Sequence, residues 1–348
     1  MAAMQAGESL GGTVTLAGTG TQFVCAPGDT MLRAGLRAGL GLSYECNVGS
    51  CGTCKVDLVE GEVRDLWPEA PGIKQRDRDR GRRLACQTLP MGPCTIKSRV
   101  ADMYVPRHLP RVQTAKLEAV RDITQDIREF QFRVGGPSQF LAGQYALLKV
   151  SGMPVARAYS MSNNGNGQGL WEFMIRKVPG GAVSTALFDG LPLGSTVQLD
   201  GPYGLAYLRE DVERDIVCVA GGSGIAPMVS ILDAAAASHH VRHLDAWLFY
   251  GGRGPADVPA IDSLLKTHHL ERALEWHPVV SVPALAEGTD WQGEFGFVHE
   301  LLPKKLTRPL SEYEYYFAGP PPMIEATIRL LVSENRVPQS QLHFDRFF

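Results

Sequence analysis

No run of about 18 apolar residues occurs anywhere in the chain, so a membrane-spanning helix is not expected. Positive charge is not in surplus either. Lys and Arg number 34 against 37 Asp and Glu, a net of -3, whereas nucleic-acid and acidic-membrane binders leave a basic footprint. Internal repeats and long low-complexity tracts are also missing, which argues against solenoids and disordered arrays. The opening residues MAAMQAGESLGG have neither the basic start nor the apolar core of a secretion signal, so the expected location is the cytoplasm. Small molecules and other proteins are left as the expected partners. With 44% hydrophobic and 20% charged residues the chain can build packed cores. Its 348 residues exceed what one core usually organises, so two or three domains are expected.

Seven cysteines are present, and in a reducing compartment they read as metal ligands or buried thiols rather than disulfides. Cys46, Cys51 and Cys54 form C-x4-C-x2-C in ECNVGSCGTC, and Cys86 follows in LACQ. That is the plant-type spacing for a 2Fe-2S cluster held by four thiolates. Gly49, Ser50, Gly52 and Thr53 are small enough for a loop to wrap the cluster with its amides turned to the sulfurs. A four-cysteine zinc site is the competing reading. It is disfavoured because structural zinc usually takes two C-x2-C knuckles. Cys25, Cys94 and Cys218 fall outside the pattern and read as core thiols.

Three stretches of different pattern are joined by proline-containing segments. Residues 1–103 hold short strand-like runs (Thr13 to Leu16, Gln22 to Cys25, Lys55 to Val59, Thr95 to Val100). One helix candidate starts after Asp29 or Thr30, either of which can cap it, and repeats Leu32, Leu36 and Leu40. This predicts a small α+β domain, and residues 104–111 a linker. Residues 112–208 alternate like the strands of an antiparallel barrel, among them Ile127 to Val134, Tyr145 to Val150 and Trp171 to Val178. Residues 209–348 alternate apolar strands with helical stretches, the pattern of a parallel α/β sheet.

Two motifs in the barrel segment suit a flavin. In RAYS, Arg157 can pair with a pyrophosphate, Tyr159 can pack on the ring system and the Ser160 hydroxyl can reach a ring heteroatom. Downstream come Arg176 and then GGAVST, where Gly181 opens a probable helix whose amides form an anion site, with the Ser184 hydroxyl as a further donor. In the last segment IVCVAGGSGIAPMVSIL reads as strand, glycine turn and helix. Gly221, Gly222 and Gly224 let a pyrophosphate approach the backbone, and Pro227 follows in the helix. YGGR and YFAGPPPM, the latter with Gly319 and Pro320, stand at two further strand ends. YGGR offers one arginine, Arg253, rather than a basic cluster for a 2′-phosphate, which favours NADH over NADPH. The basic stretch KQRDRDRGRR, Lys74 to Arg83, reads first as a solvated face, because its aspartates alternate with its arginines. Guidance of an acidic partner is the second reading.

YECNVGSCGTCKVDLVEGEV, LWPEAPG and RGRRLACQ together resemble the ferredoxin module of reductase components of bacterial multicomponent, toluene monooxygenase-like soluble diiron monooxygenases. RAYS, GGAVST, GSGIAP, YGGR and GPPPM, with Gly143-Gln144-Tyr145 and LDGPYG, are similar to the ferredoxin-NADP reductase superfamily. The resemblance spans essentially the whole chain. It implies a β-grasp 2Fe-2S ferredoxin domain, a β-barrel FAD domain and a Rossmann-like NAD domain, with FAD rather than FMN because the ferredoxin module comes first. It further implies a reductase that takes hydride from NADH and passes single electrons to a redox partner, a Rieske-type ferredoxin or a diiron hydroxylase. No side-chain acid, base or nucleophile is expected to be essential. Ala318 stands where many members have cysteine in C-G-P-P, which puts the geometry of hydride transfer in question. The ending HFDRFF is similar to the family's, where a terminal aromatic, here Phe348, often covers the flavin; two core aromatics closing a last strand fit it equally. Open alternatives are the reductase of a ring-hydroxylating dioxygenase, a zinc-stabilised flavin reductase, and a non-catalytic redox sensor.

Overall fold

A computed structural model describes residues 11–153, 155–264 and 274–348; the opening MAAMQAGESL lies outside the described residues. Two compact units are present, one ending at Arg111 and the other running from Val112 to Phe348. In the first, β1 (Gly12–Leu16) turns back on β2 (Gln22–Cys25), and α1 (Met31–Arg37) follows. Of the two capping candidates it is Thr30 whose hydroxyl accepts the Arg33 N–H, at 3.5 Å. Asp29 instead pairs with Arg37 at 2.6 Å. Leu32 and Leu36 are fully buried; Leu40 lies past the helix end, so the leucine repeat overshoots the helix by one step.

β3 (Lys55–Glu60), β4 (Val63–Asp65), α2 (Gln75–Arg78), β5 (Arg82–Leu84), β6 (Thr88–Pro90) and β7 (Cys94–Lys97) complete this unit. The main sheet has the order β2-β1-β7-β3-β5, with β1 parallel to β7, and β4 pairs with β6 in a separate ribbon. A helix against a mixed sheet of this kind is the β-grasp arrangement. The expected strand to Val100 stops at Lys97, and Val100 makes only an isolated bridge to Leu42.

The second unit begins with a six-stranded antiparallel sheet: β8 (Arg111–Asp122), β9 (Ile127–Arg133), β10 (Tyr145–Val150), β11 (Arg157–Ser160), β12 (Leu170–Arg176), then α3 (Ala182–Gly190) and β13 (Thr196–Tyr203). Its order is β11-β10-β13-β8-β9-β12. Met161, just past β11, bridges Phe173 of β12 and brings the two outer strands together as a barrel. The alternation expected of such strands holds: Phe130 and Phe132, two apart on β9, are fully buried in the barrel core beside Phe173 and Ile175.

A parallel sheet follows, built from β14 (Asp215–Gly221), α4 (Ile225–Ala237), β15 (Ala246–Gly252), α5 (Ile261–Leu264), β16 (Leu274–Val280), β17 (Glu294–Phe295), α6 (Leu302–Lys305), β18 (Tyr313–Gly319), α7 (Pro321–Ile328) and β19 (Leu342–Arg346). The order is β17-β16-β15-β14-β18-β19. Both faces are covered, which is why the strands are continuously apolar rather than alternating. Cys218 and Ala220 face a core shared with α4, while Val217 and Val219 face one shared with Ile324 and Leu331. α7 runs from Pro321 and widens to a π-helix over Arg329–Glu334.

Barrel and sheet share a core: Ile127, Ala142, Met174 and Leu208 pack with Met228, Ile231 and Leu232 of α4. At their junction the fully buried Ser230 hydroxyl donates to Asn163 O at 2.8 Å and accepts the Gly143 N–H at 3.3 Å. Ser230→Ala removes only the hydroxyl and strands a buried N–H and a buried carbonyl. It is expected to cost about 1–3 kcal/mol, read as a lower unfolding temperature of the flavin-loaded protein. An unchanged unfolding temperature would show that the hydroxyl does not brace the junction.

Candidate functional site

The loop between α1 and β3 carries Cys46, Cys51 and Cys54, and the turn between β5 and β6 brings Cys86 to them. They come together as two contacting pairs, with the thiols of Cys46 and Cys51 hydrogen-bonded to each other and those of Cys54 and Cys86 likewise. Within each pair one thiol is favoured as thiolate. The Cys46 thiol lowers Cys51 to about 6, and the Cys54 thiol holds Cys86 below its ordinary value, helped by the Arg33 charge. Cys46 and Cys54 are pushed up by the same partners. Cys51 also accepts the Thr53 N–H, and Cys46 the Cys51 N–H, at 3.5 and 3.4 Å.

Thiolates are the form that binds metal, and two pairs match two irons better than one tetrahedral ion. Among the described residues no three such side chains are placed to hold a single metal ion. The cradle around the sulfurs is tight. Gly52 has φ +80° and a Cβ there would strike the Gly72 carbonyl, while a Cβ at Gly49 would meet Gln87, Ala70 and Trp67 at 3.1 to 3.3 Å. The residues therefore fit a 2Fe-2S cluster. Cys25, Cys94 and Cys218 are buried apart from this loop.

The flavin candidates sit on the barrel. RAYS is the whole of β11, with Arg157 exposed, Tyr159 half-buried and Ser160 buried. Gly181 precedes α3, whose N-terminus has no side-chain cap. The Ser184 hydroxyl donates to Gly181 O and accepts the Val178 N–H, both at 3.1 Å. It closes the glycine turn and is not turned outward as the further donor expected of it. Gln144 ties the turn before β10 to Gly204, accepting the Leu141 N–H and donating to Gly204 O.

Arg176 ends β12, just ahead of the Gly181 turn. Its Nε holds Asp126 at 2.6 Å, and its Nη1 is 3.6 Å from where a Gly222 Cβ would stand. Both residues line a cavity of about 500 Å3 at the carboxyl ends of the parallel strands, with Gly221, Gly222, Tyr250, Arg253, Asp257, Phe297, His299, Pro320 and Met323. Gly224 packs so closely that a Cβ would run into the Ala318 carbonyl. Pro227 is buried in the first turn of α4. Phe347 extends the last strand through its N–H to Gly319 O, whereas Phe348 is 62% exposed.

Several cavity residues carried no sequence signal. Asp126 and Gln125 belong to a β8–β9 turn held by Thr124, whose hydroxyl accepts the Asp126 and Ile127 N–H groups. Gln125 donates to Asp257 at 2.9 Å. Burial alone would raise the Asp257 carboxyl, but hydrogen bonds from Gln125 and from the Arg253 and Gly254 N–H groups outweigh it and hold it below the usual carboxylate range. The stacked Phe297 and His299 follow β17, in a segment without periodicity.

Comparison with known proteins follows the same division. Residues 14–91 match the 2Fe-2S iron-sulfur cluster binding domain, 114–207 the oxidoreductase FAD-binding domain and 218–329 the oxidoreductase NAD-binding domain. The ferredoxin–NAD(P)+ reductase CarAd of Metapseudomonas resinovorans is 41% identical, over 93% of this chain and 96% of its own. The chain belongs to the ferredoxin–NAD(P)+ reductase family of electron-transfer reductase components. The ferredoxin–NAD+ reductase component of the Xanthobacter autotrophicus alkene monooxygenase system is 36% identical, over 94% of this chain and 98% of its own. The ferredoxin reductase in carbazole 1,9a-dioxygenase has a matching structure, with TM-score 0.89, 35% identity, and coverage of 97% of this chain and 98% of that one. This reductase is thus a flavin and iron-sulfur oxidoreductase with 2Fe-2S, FAD and NAD domains in that order. Among the described residues no helix is long and apolar enough to cross a membrane.

Gly52→Ala adds a methyl where the backbone is left-handed and the Gly72 carbonyl blocks it. A left-handed non-glycine residue costs about 1–2 kcal/mol before any clash. Iron and sulfide per flavin are expected to fall to roughly half or less while flavin content holds. Full iron occupancy would show that the loop tolerates a side chain there.

Proposed function

We propose that this reductase oxidises NADH and delivers electrons one at a time, by way of its flavin and its cluster, to an iron protein of an oxygenase system, a Rieske-type ferredoxin or a diiron hydroxylase. When bound, flavin accepts hydride as a pair and can release single electrons, which a 2Fe-2S cluster accepts one by one. The observation that carries the reading is the coexistence in one chain of two cysteine pairs suited to two irons and a dinucleotide cavity beside a flavin barrel.

The chain's own residues bind, orient and exclude water. Cys46, Cys51, Cys54 and Cys86 hold the cluster. Arg157, Tyr159 and Ser160 hold the flavin, with the amides after Gly181 receiving its phosphates and Ser184 keeping that turn closed. Gly222 and Gly224 let the NADH pyrophosphate reach the start of α4, Pro227 sits in the first turn of that helix where no amide partner is needed, and Pro320 walls the same cavity with Gly319 beside it. Phe348 is free to lie over the flavin edge. Arg176, committed to Asp126 through Nε, has both terminal nitrogens left for a phosphate, and its nearness to Gly222 supports NADH rather than the flavin as its ligand. Arg253 faces the Asp257 carboxylate at 3.4 Å, a poor receptor for the 2′-phosphate of NADPH. No residue need move a proton, and none is proposed to.

A second reading, the reductase of a ring-hydroxylating dioxygenase, is favoured by the likeness to the carbazole 1,9a-dioxygenase reductase. Both readings give the same internal chemistry, because the oxygenase selects the substrate.

Anaerobic titration with NADH is expected to bleach the flavin and raise a 2Fe-2S electron paramagnetic resonance signal with it. Flavin reduction without that signal, despite bound iron and sulfide, would rule out the route through the four cysteines. Arg176→Ala is expected to raise the KM for NADH roughly tenfold, the value of one charged hydrogen bond, with flavin content retained. Loss of flavin at unchanged KM would return Arg176 to the flavin site.

A further inference from the structure

Residues 74–83 contain six cations and two carboxylates in a chain whose net charge is -3. The fold sorts these charges. Asp77 is buried and taken by Lys55 at 3.3 Å and Arg82 at 3.2 Å. Asp57 is taken by Arg82 at 3.0 Å and Asp65 by Arg83 at 3.6 Å, with Arg78 at 4.0 Å. Lys74, Arg76 and Arg80 are left exposed and form no salt bridge within 4 Å among the described residues, Arg76 acting on Asp77 only as a longer-range charge. Asp79 and Glu69 are the exposed carboxylates of the same stretch, and Asp79 accepts from Gln75. A ladder that alternates in sequence therefore becomes, on the folded surface, predominantly basic.

This surface adjoins the cysteine loop. The segment leading into α2 lies on it, with the Gly72 N–H donating to Gly49 O at 2.9 Å and Trp67 and Ala70 packed against Gly49. Leu66 and Trp67 are 50% and 39% exposed on that segment. Exposed apolar groups with a predominantly basic rim, next to a redox centre, form a short-lived encounter surface: charge steers and apolar contact holds.

We propose that Lys74, Arg76 and Arg80, with Leu66 and Trp67, form the docking surface for an acidic protein acceptor, placing its redox centre against the cysteine loop. This rests on the reading that electrons leave through the cluster. Each encounter moves one electron from the reduced cluster to the acceptor's ferric iron, NADH supplying two per hydride. The test compares the full-length, cofactor-loaded reductase with Lys74→Glu/Arg76→Glu/Arg80→Glu and with the milder glutamine triple variant. Acidic cytochrome b5 and basic cytochrome c serve as probes.

For the glutamate variant, kcat/KM for cytochrome b5 at low salt is expected to fall about tenfold. Its Kd, measured separately on the oxidised proteins, rises to match, and its salt dependence flattens. Cytochrome c reduction rises, and the glutamine variant falls between. Ferricyanide reduction and the NADH-driven cluster signal stay unchanged. A cytochrome b5 Kd that moves less than twofold, or equal changes with both haem proteins, overturns the proposal. Loss of the cluster signal in the variant alone also overturns it, because the surface would then serve internal transfer. If the parent itself shows no cluster signal, the functional reading fails, and the Kd comparison still decides the docking surface.

Discussion

Register between β14 and β18 sets where everything else in the dinucleotide cavity stands. Ala220 lies opposite Ala318, so the two strands end together and the chain after each must turn in the same small space. Gly224 then lies against the Ala318 carbonyl, and a Cβ at Gly221 would stand 2.8 Å from the Met323 sulfur. Glycine is required at these positions first by the packing of one protein loop on another. The same bareness leaves backbone amides open to a pyrophosphate. The departure at Ala318 takes its meaning from this: the residue is almost wholly buried in the core shared with α4, so a small side chain satisfies the packing, and any hydride geometry must come from the walls around it.

Those walls belong to both halves of the second unit. The β8–β9 turn of the barrel reaches the sheet through Gln125 to Asp257, and Asp126 holds Arg176 beside Gly222. The Arg176–Asp126 pair is 35% and 25% exposed, so its value to stability is small; what it contributes is direction, fixing one face of a guanidinium and freeing the other. Ser230 and the shared core do the mechanical work of holding barrel and sheet together. A hydride donor and acceptor must meet to within contact distance, so a junction that is buried and hydrogen-bonded is a requirement of the chemistry.

Residues whose meaning depends on local spacing were legible in the sequence. The α4 helix from Ile225 to Ala237 and Tyr145–Val150 on β10 read correctly because period and spacing survive folding unchanged, and the cysteines of the C-x4-C-x2-C run do come together with Cys86. Residues whose meaning depends on what folds against them were not. Ser184, read as a donor to the cofactor, is hydrogen-bonded within its own turn; Arg176, read with the flavin motif, lines the cavity at the strand ends. Asp126, Gln125, Phe297 and His299 come from segments without periodicity, so no pattern could single them out. The alternating charges of residues 74–83 were visible, yet only the three-dimensional pairing of Asp57, Asp65 and Asp77 shows which cations remain outward.

The cysteine pairs differ in depth in a way that bears on where charge can be accommodated. Cys54 and Cys86 are buried, Cys86 completely, while Cys51 of the other pair is partly exposed. Negative charge held on sulfur is stabilised by water and by amide N–H groups, and is costly in an apolar interior. The deeper pair gains compensation from Arg33, which is itself positioned by hydrogen bonds to Asn47 Oδ1 and O. The shallower pair has the Cys51 and Thr53 N–H groups and solvent. With a cluster bound, charge added to it would be borne with less desolvation on the Cys46–Cys51 side. Gly49, which packs against Trp67, lies between those two cysteines, so the partly exposed indole lies beside the pair that solvent reaches.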